Sequence, residues 1–307
     1  MEKVLTQKAI ADYCSLPDIQ CSTPDISIPI MQVGVENVEV PFRLESKYGG
    51  YHQLNANVSM RTNLDEKTKG ISMSRLLLTL KPYLDLPLKH VLIEQILKDL
   101  RKNLETNTAY MKFEFRMPIN RKSIISNNEF PIYYKCKFEG QLYQVKDVQE
   151  SGDINHPMKD VFRFFQGVTI QYASYCPCSA ELCGHLTENQ SKGYPHNQRS
   201  FAEIVVEVKE HHYVWLENII EAVENALITL PYPVIKRVDE QEIAKVAAQN
   251  PMFVEDAIRR ISQALNEKSE IFDWIVKCSH EESIHTSEAI AINWKGIPYG
   301  FNGRRYL

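Results

Sequence analysis

The sequence predicts an α+β fold made of two tandem ββααββ units. Three observations carry this expectation. Apolar and polar residues alternate over several separate stretches, as half-buried strands require. Amphipathic helical stretches lie between those strands. The order strand pair, helix pair, strand pair then occurs twice within 307 residues. Two sequential units of similar size follow, although no sequence identity links the halves.

Residues 1–30 are rich in Pro, Ser, Asp and Cys and are expected to form an extended arm. The first unit spans 31–150. Val35 to Leu44 is the hairpin partner of 52–64, where Leu54, Ala56, Val58, Met60, Thr62 and Leu64 face one way. Helical spacing covers Met73 to Tyr83, ending near Pro82, and then Leu88 to Leu104, with Val91, Leu92, Ile96, Leu97 and Leu100 on one stripe. One further strand turns Met111, Phe113, Phe115 and Met117 to a common face, and the next carries Tyr134, Cys136, Phe138 and Leu142.

The second unit spans 151–307. Val161 to Tyr175 and Phe201 to Val208 are strands, and between them 179–200 lacks periodicity and is expected to be a long loop. Leu216, Ile219, Ile220, Val223, Leu227 and Leu230 keep helical spacing up to Pro231. Asn250-Pro251 opens another helix as cap and first residue, with Val254, Ala257, Ile258, Ile261 and Leu265 as its buried stripe. Ile271 to Cys278 and Glu288 to Trp294 close the chain as strands.

Composition narrows the function. Apolar residues make up 44% and charged residues 24%, so a core can form without disulfides. With 35 basic and 39 acidic residues the formal charge is 35 − 39 = −4, which gives no support for a nucleic-acid or membrane partner. No apolar run approaches the ~18 residues of a membrane span. Met1 to Ser15 carries Glu2, Lys3, Lys8 and Asp12 and no export signal, so a cytoplasmic, reducing location is expected. The seven cysteines are odd in number and irregularly spaced, which suits thiols or metal ligands rather than a disulfide frame. No P-loop, dinucleotide-binding glycine motif, nucleophile elbow or H-E-x-x-H is present.

Reactive side chains concentrate in the second half. In Cys176-Pro177-Cys178 the two thiols share a face if the segment is extended, where they are a metal-binding pair or two buried small residues. Cys183 and His185 are close enough to form a local zinc knot with them, which would be structural. His196 is a ligand or a surface loop histidine. Glu282 and His285 converge if 282–285 turns and diverge if it is extended. Glu240 and Glu255 are solvated helix charges or functional carboxylates.

Taken in order, several motifs resemble the type IB GTP cyclohydrolase I family. They are Val33 to Phe42 (VGVENVEVPF), Lys69 to Arg75 (KGISMSR), Cys176-Pro177-Cys178-Ser179, His196-Asn197-Gln198-Arg199-Ser200, Phe253-Val254-Glu255-Asp256 and Glu282-Ser283-Ile284-His285. The resemblance runs from about residue 17 to the C-terminus. It implies a tunnelling fold, with antiparallel sheets and helices on one face, and a homotetramer with active sites between subunits. It also implies that Cys176 is the principal metal thiolate, with His196 and Glu240 as partner ligands. Cys178, Glu282 and His285 would stand on the other side of the metal pocket, with Cys176, Cys178 and His285 as the catalytic groups. Glu255 would anchor the guanine of GTP. Arg199, Arg75 and Lys192 are candidates for the triphosphate, and the cofactor would be a divalent metal, Zn, Mn or Fe. Two positions depart from the family: Ser72 and Ser287 stand where it often has His. Two rivals stay open: another enzyme of this fold with Cys176 as covalent nucleophile, and a zinc-stapled binding protein without turnover.

Overall fold

The computed structural model describes residues 19–146, 158–186, 195–298 and 300–301. Alternation of side chains makes the strands, and the strands make one sheet. β1 (Ile30–Glu45), β2 (Tyr51–Leu64), β3 (Ala109–Lys122), β4 (Glu129–Lys146), β5 (Met158–Tyr175), β6 (Asn197–Val208), β7 (Ile271–Glu281) and β8 (Glu288–Trp294) pair in sequence order. Every pairing is antiparallel. The two expected sheets are therefore one. β4 and β5 pair from Lys135–Thr169 to Lys146–Met158 and carry the sheet across the middle of the chain.

The helices are α1 (Met73–Leu80), α2 (His90–Leu104), α3 (Pro177–Leu186), α4 (Leu216–Leu227), α5 (Arg237–Gln249) and α6 (Val254–Asn266). α2 packs on β3 and β4, α4 on β5, and α6 on β7 and β8. The periodic face of each strand meets these helices. Met60, Phe113, Phe138, Ile170 and Val206 belong to one apolar core together with Leu97, Ile220 and Ile261. Burying such side chains yields roughly 1.5–3 kcal/mol each, which drives the layering. The opposite face is largely polar, with Lys112, Glu114, Arg116, Lys135 and Lys137 along a groove of about 810 Å³. Among the described residues no helix is long and apolar enough to cross a membrane.

Four expectations need correction. The segment 179–200 is not all loop, because Pro177–Leu186 is helical and β6 already begins at Asn197. α5 was not foreseen: Asp239 and Ala247 are its buried residues, so it has little apolar stripe to announce it. Asn250 does not cap α6. It ends α5, and its Nδ2 donates to the carbonyl of Leu227 (3.1 Å) and to Thr229 Oγ1 (3.0 Å). α6 starts at Val254, where the Asp256 carboxylate accepts from the Phe253 N–H at 3.1 Å. Finally, α4 stops at Leu227, before Pro231, where Ile228 takes φ 70°. The extended arm falls mostly outside the described residues, with Ile19–Cys21 forming a short 3-10 turn.

The fit of α2 on the sheet depends on one glycine. A Cβ on Gly140 would collide with Cγ2 of Ile93 and come within 3.0 Å of Leu97 Cδ1, and both side chains are fully buried. Gly140→Ala is therefore expected to destabilise the fold by about 1–3 kcal/mol. Urea unfolding of the two proteins measures this, and equal midpoints would show that the contact yields freely.

Candidate active site

Four chain segments meet at one end of β5, β6 and β7. Tyr175 ends β5, and Cys176 follows it. The Cys176 N–H donates to the carbonyl of His196 at 3.2 Å, so the start of β6 is tied to the end of β5. The register continues across the sheet: Tyr175 lies opposite Asn197, Tyr172 opposite Ser200, and Ser200 opposite His280. α6 joins from above, where the Met252 N–H donates to the Tyr175 carbonyl at 3.0 Å. Glu255 stands in the first turn of that helix.

Cys176 caps α3. Its carbonyl accepts from the Ala180 N–H (3.0 Å) and its Sγ accepts from the Ser179 N–H (3.4 Å). Pro177 is the first helical residue, a place where its missing N–H costs nothing. The partial positive charge of a helix N-terminus thus lies beside the sulfur. This helix also corrects the reasoning that paired Cys176 with Cys178. Residues two apart share a face on a strand but point about 200° apart on a helix. Cys178 is exposed on α3, while Cys176 is half-buried at its start.

His196 reaches two further segments. Its N–H donates to Ser179 Oγ (3.4 Å), and its Nδ1 is 3.0 Å from Ser283 Oγ, just beyond β7. Nδ1 is thereby engaged, and Nε2 is the nitrogen left for a ligand. Beside Ser283, Glu282 is half-buried and its Oε2 accepts from Gln198 Nε2. His285 is exposed in the bend between β7 and β8, so the Glu282–His285 pair sits on a hairpin tip and not on a helix.

Beneath these groups His280 is 2% exposed, with Nε2 2.9 Å from the Tyr172 hydroxyl. Burial lowers its pKa to about 4, while Glu282 and Glu255 pull the other way. Glu255 comes three residues after Met252, whose N–H is bound to the Tyr175 carbonyl, so the first turn of α6 lies near the end of β5. The other buried thiols are structural: burial pushes Cys278 up to about 12 and Cys136 higher still.

The remaining candidates are placed less centrally. Glu240 is exposed on the first turn of α5. Its neighbour Asp239 is fully buried and accepts from the Ile125 and Ser126 N–H groups (2.9 and 2.8 Å), the Ser126 hydroxyl (2.6 Å) and the Lys236 N–H (2.7 Å). Burial pushes its carboxyl up, but these hydrogen bonds outweigh that and hold it well below the usual range. Asp239 therefore fixes the turn that presents Glu240. Glu240 makes no hydrogen bond to Cys176, His196 or Glu282 among the described residues. Arg199 is exposed on β6, opposite Glu281. Arg75 is exposed on α1, where its N–H donates to Ser72 Oγ (3.4 Å), so Ser72 serves as that helix's cap. Ser287 is exposed in the β7–β8 bend. Lys192 lies outside the described residues.

Cys183 and His185 lie on α3. Among the described residues no three His, Cys, Asp or Glu side chains converge around a metal position, neither a local knot about Cys183 nor a complete set about Cys176. The sequence reading missed His280, Tyr172, Ser174 and Gln198 as site residues. The signal for Gln198 was present: polar residues at 198 and 200 fall on the periodicity of β6 that faces the core.

Comparison with known proteins adds the family. A family model described as type I GTP cyclohydrolase folE2 matches residues 16–291. A GTP cyclohydrolase FolE2 of Geobacter sulfurreducens is 32% identical over 277 residues, covering 90% of this chain and 96% of that protein. Another from Cereibacter sphaeroides is 31% identical over 287 residues, 92% of this chain and 76% of that protein. Among solved structures, a uricase from Bacillus fastidious superposes with a TM-score of 0.54 at 8% identity, covering 86% of this chain and 92% of that one. A uricase from Arthrobacter globiformis gives 0.52 at 6% identity, with 91% and 98% covered. These likenesses show the tunnelling fold alone.

The buried imidazole gives a test by pH. Between about pH 6.5 and 4 the unfolded chain protonates at position 280 while the folded chain does not. Stability contributed there is present above that window and is lost as pH falls through it. The urea midpoint of the wild-type protein is expected to fall relative to His280→Asn across this range. A constant difference between the two would contradict a neutral, buried His280.

Proposed function

The chain belongs to the type I GTP cyclohydrolase FolE2 family, and from that premise we propose that it hydrolyses the guanine ring of GTP at C8. The products are formate and 7,8-dihydroneopterin triphosphate, a precursor for folate biosynthesis. The observation that supports this most is that the segments carrying Cys176, His196 and Glu282 are tied together at one end of β5–β7, where the residue three before Glu255 also bonds to Tyr175.

A thiol, an imidazole and a carboxylate brought to the same end of the sheet are donor types that suit zinc and also accept Mn(II) or Fe(II). Cys176 and His196 would hold the ion, with Glu282, His285 and Glu240 as further ligands. When bound, a divalent metal supplies a Lewis acid that makes water nucleophilic near neutral pH. The family is consistent with such a requirement. The other roles fall to side chains of the chain itself. Glu255 would accept from N1–H and the 2-amino group of guanine, a bidentate match that orients C8. His285, exposed and beside the site, would carry protons, as imidazole does near neutrality. Cys178 would stand at the rim, on the first turn of α3. Arg199, Arg75 and Lys192 would meet the triphosphate. Ser287, replacing the family's second histidine, leaves His285 as the proton carrier of this loop.

Among the described residues no three candidate ligands converge on a metal position, which favours a homotetramer with sites between subunits. Glu240, held outward by Asp239, would then serve a neighbouring subunit's site or its own after assembly.

Metal-reconstituted protein given GTP is expected to release formate and a fluorescent oxidised neopterin. Cys176→Ala should abolish turnover, and Glu255→Ala should reduce it by at least about a hundredfold, a loss typical of a key polar contact in the transition state. Full activity in Cys176→Ala would refute the metal assignment. A thioimide adduct formed by addition of Cys176 to the nitrile of a deazapurine, with no formate from GTP, would instead support a covalent nucleophile. Chelation separates catalysis from a structural staple: the stripped protein should keep its circular dichroism and regain activity with Zn, Mn or Fe. Unfolding on chelation would favour the staple.

A further inference from the structure

The buried face beneath the site contains polar side chains that the proposed reaction leaves unused. Ser174 and Ser200 are fully buried and Gln198 is 6% exposed. They lie on adjacent strands, with Ser174 opposite Gln198 and Ser200 two residues along on β6. Ser174 Oγ donates to Gln198 Oε1 at 2.7 Å and is 2.8 Å from Ser200 Oγ, and Gln198 Nε2 donates to Glu282 Oε2.

The donors and acceptors of this chain can be ordered. An ionised carboxylate only accepts, so the amide must turn its NH₂ to Glu282 and its oxygen to Ser174. Ser174 has one hydroxyl proton and gives it to that oxygen. The bond between the two serines then takes its proton from Ser200. All three bonds therefore point the same way, from Ser200 through Ser174 and Gln198 to Glu282. Aligned donors polarise one another and strengthen the last bond. Glu282 Oε1 has no hydrogen bond among the described residues, so one carboxylate oxygen is held and the other is left for a ligand.

We propose that Gln198 is the positioning residue of Glu282, with Ser174 and Ser200 fixing the amide so that Glu282 offers Oε1 to the metal. This rests on the reading of Glu282 as a metal ligand. Gln198 bonds to Ser174 and Glu282, and in this role it acts through the carboxylate. Losing a group that orients a metal ligand typically costs about 10–100-fold in metal affinity or activity.

The test uses Co(II) as the probe, added to metal-stripped full-length protein and followed by its thiolate charge-transfer and d–d absorption. Gln198→Leu is expected to weaken Co(II) binding about 10–100-fold, to shift the d–d bands, and to lower kcat more than it raises KM, with circular dichroism unchanged. Ser174→Ala, which frees the amide oxygen but keeps the donor, should give a smaller loss in the same direction. Glu282→Gln should weaken Co(II) as much as Gln198→Leu, and the double variant should be no worse than Glu282→Gln alone. If Glu282→Gln weakens Co(II) while Gln198→Leu binds it as the wild type does, the positioning role is overturned and the ligand reading stands. If Glu282→Gln leaves Co(II) binding unchanged, the ligand reading itself fails. Should Gln198→Leu not fold, Gln198→Glu replaces it: of nearly equal size, it sets a second carboxylate against Glu282 and should displace it, and wild-type affinity and bands in that variant overturn the proposal.

Discussion

The register of β5, β6 and β7 is the constraint on which the site depends. Tyr172, Ser200 and His280 occupy one row, and Ser174 and Gln198 the next. A strand's side chains alternate with period two, so a slip of one residue would turn all of these to the opposite, polar face. The core sets that register. Ile170, Ala202 and Cys278 sit one step deeper on the same face and are fully buried. Apolar packing at residues with no chemistry of their own therefore positions residues that have it.

Burial of so many polar groups is tolerated because they satisfy one another. An unpaired hydroxyl or amide in such a place costs about 1–3 kcal/mol. Here Ser174, Ser200 and Gln198 bond in series, and His280 meets Tyr172. Asp239 solves the same problem with four donors. Such networks have one good arrangement and several bad ones, which makes the end of the sheet rigid. Exposed groups occupy the rim instead: His285, Glu255 and Arg199 are free to meet what arrives from solvent.

Much of the fold was legible because period-two alternation is a local signal. The face formed by Met111, Phe113, Phe115 and Met117 is buried as read, and Glu288–Trp294 is a strand to the residue. What failed was chemistry with two local solutions. Cys176-Pro177-Cys178 extends a strand or opens a helix equally well, and Pro177 suits the first turn of α3. Asn250-Pro251 looks like a helix start, but the buried Leu227 carbonyl and Thr229 hydroxyl claim the Asn250 amide. α5 has too little apolar stripe to be seen, since its role is to place Asp239 against residues 125–126. The motifs about Cys176, His196, Glu255 and Glu282 were visible one by one. That Cys176, His196 and Glu282 come to the same end of the sheet follows from strand pairing between segments some 20 to 100 residues apart, which no local pattern records.

The choice of an amide to hold Glu282 has a physical reason. An arginine would form a stronger, bidentate pair with the carboxylate. It would also neutralise the charge and occupy both oxygens, and a cation close by would repel a divalent metal. A lysine would repel it similarly and would be costly to bury. Glutamine donates one hydrogen bond, carries no charge, and leaves an oxygen and the full negative charge available. Its own carbonyl must then be satisfied away from water, and Ser174 on β5 does this. Orientation without neutralisation is thus obtained from three uncharged side chains, and the register of the sheet is what brings them within reach of Glu282.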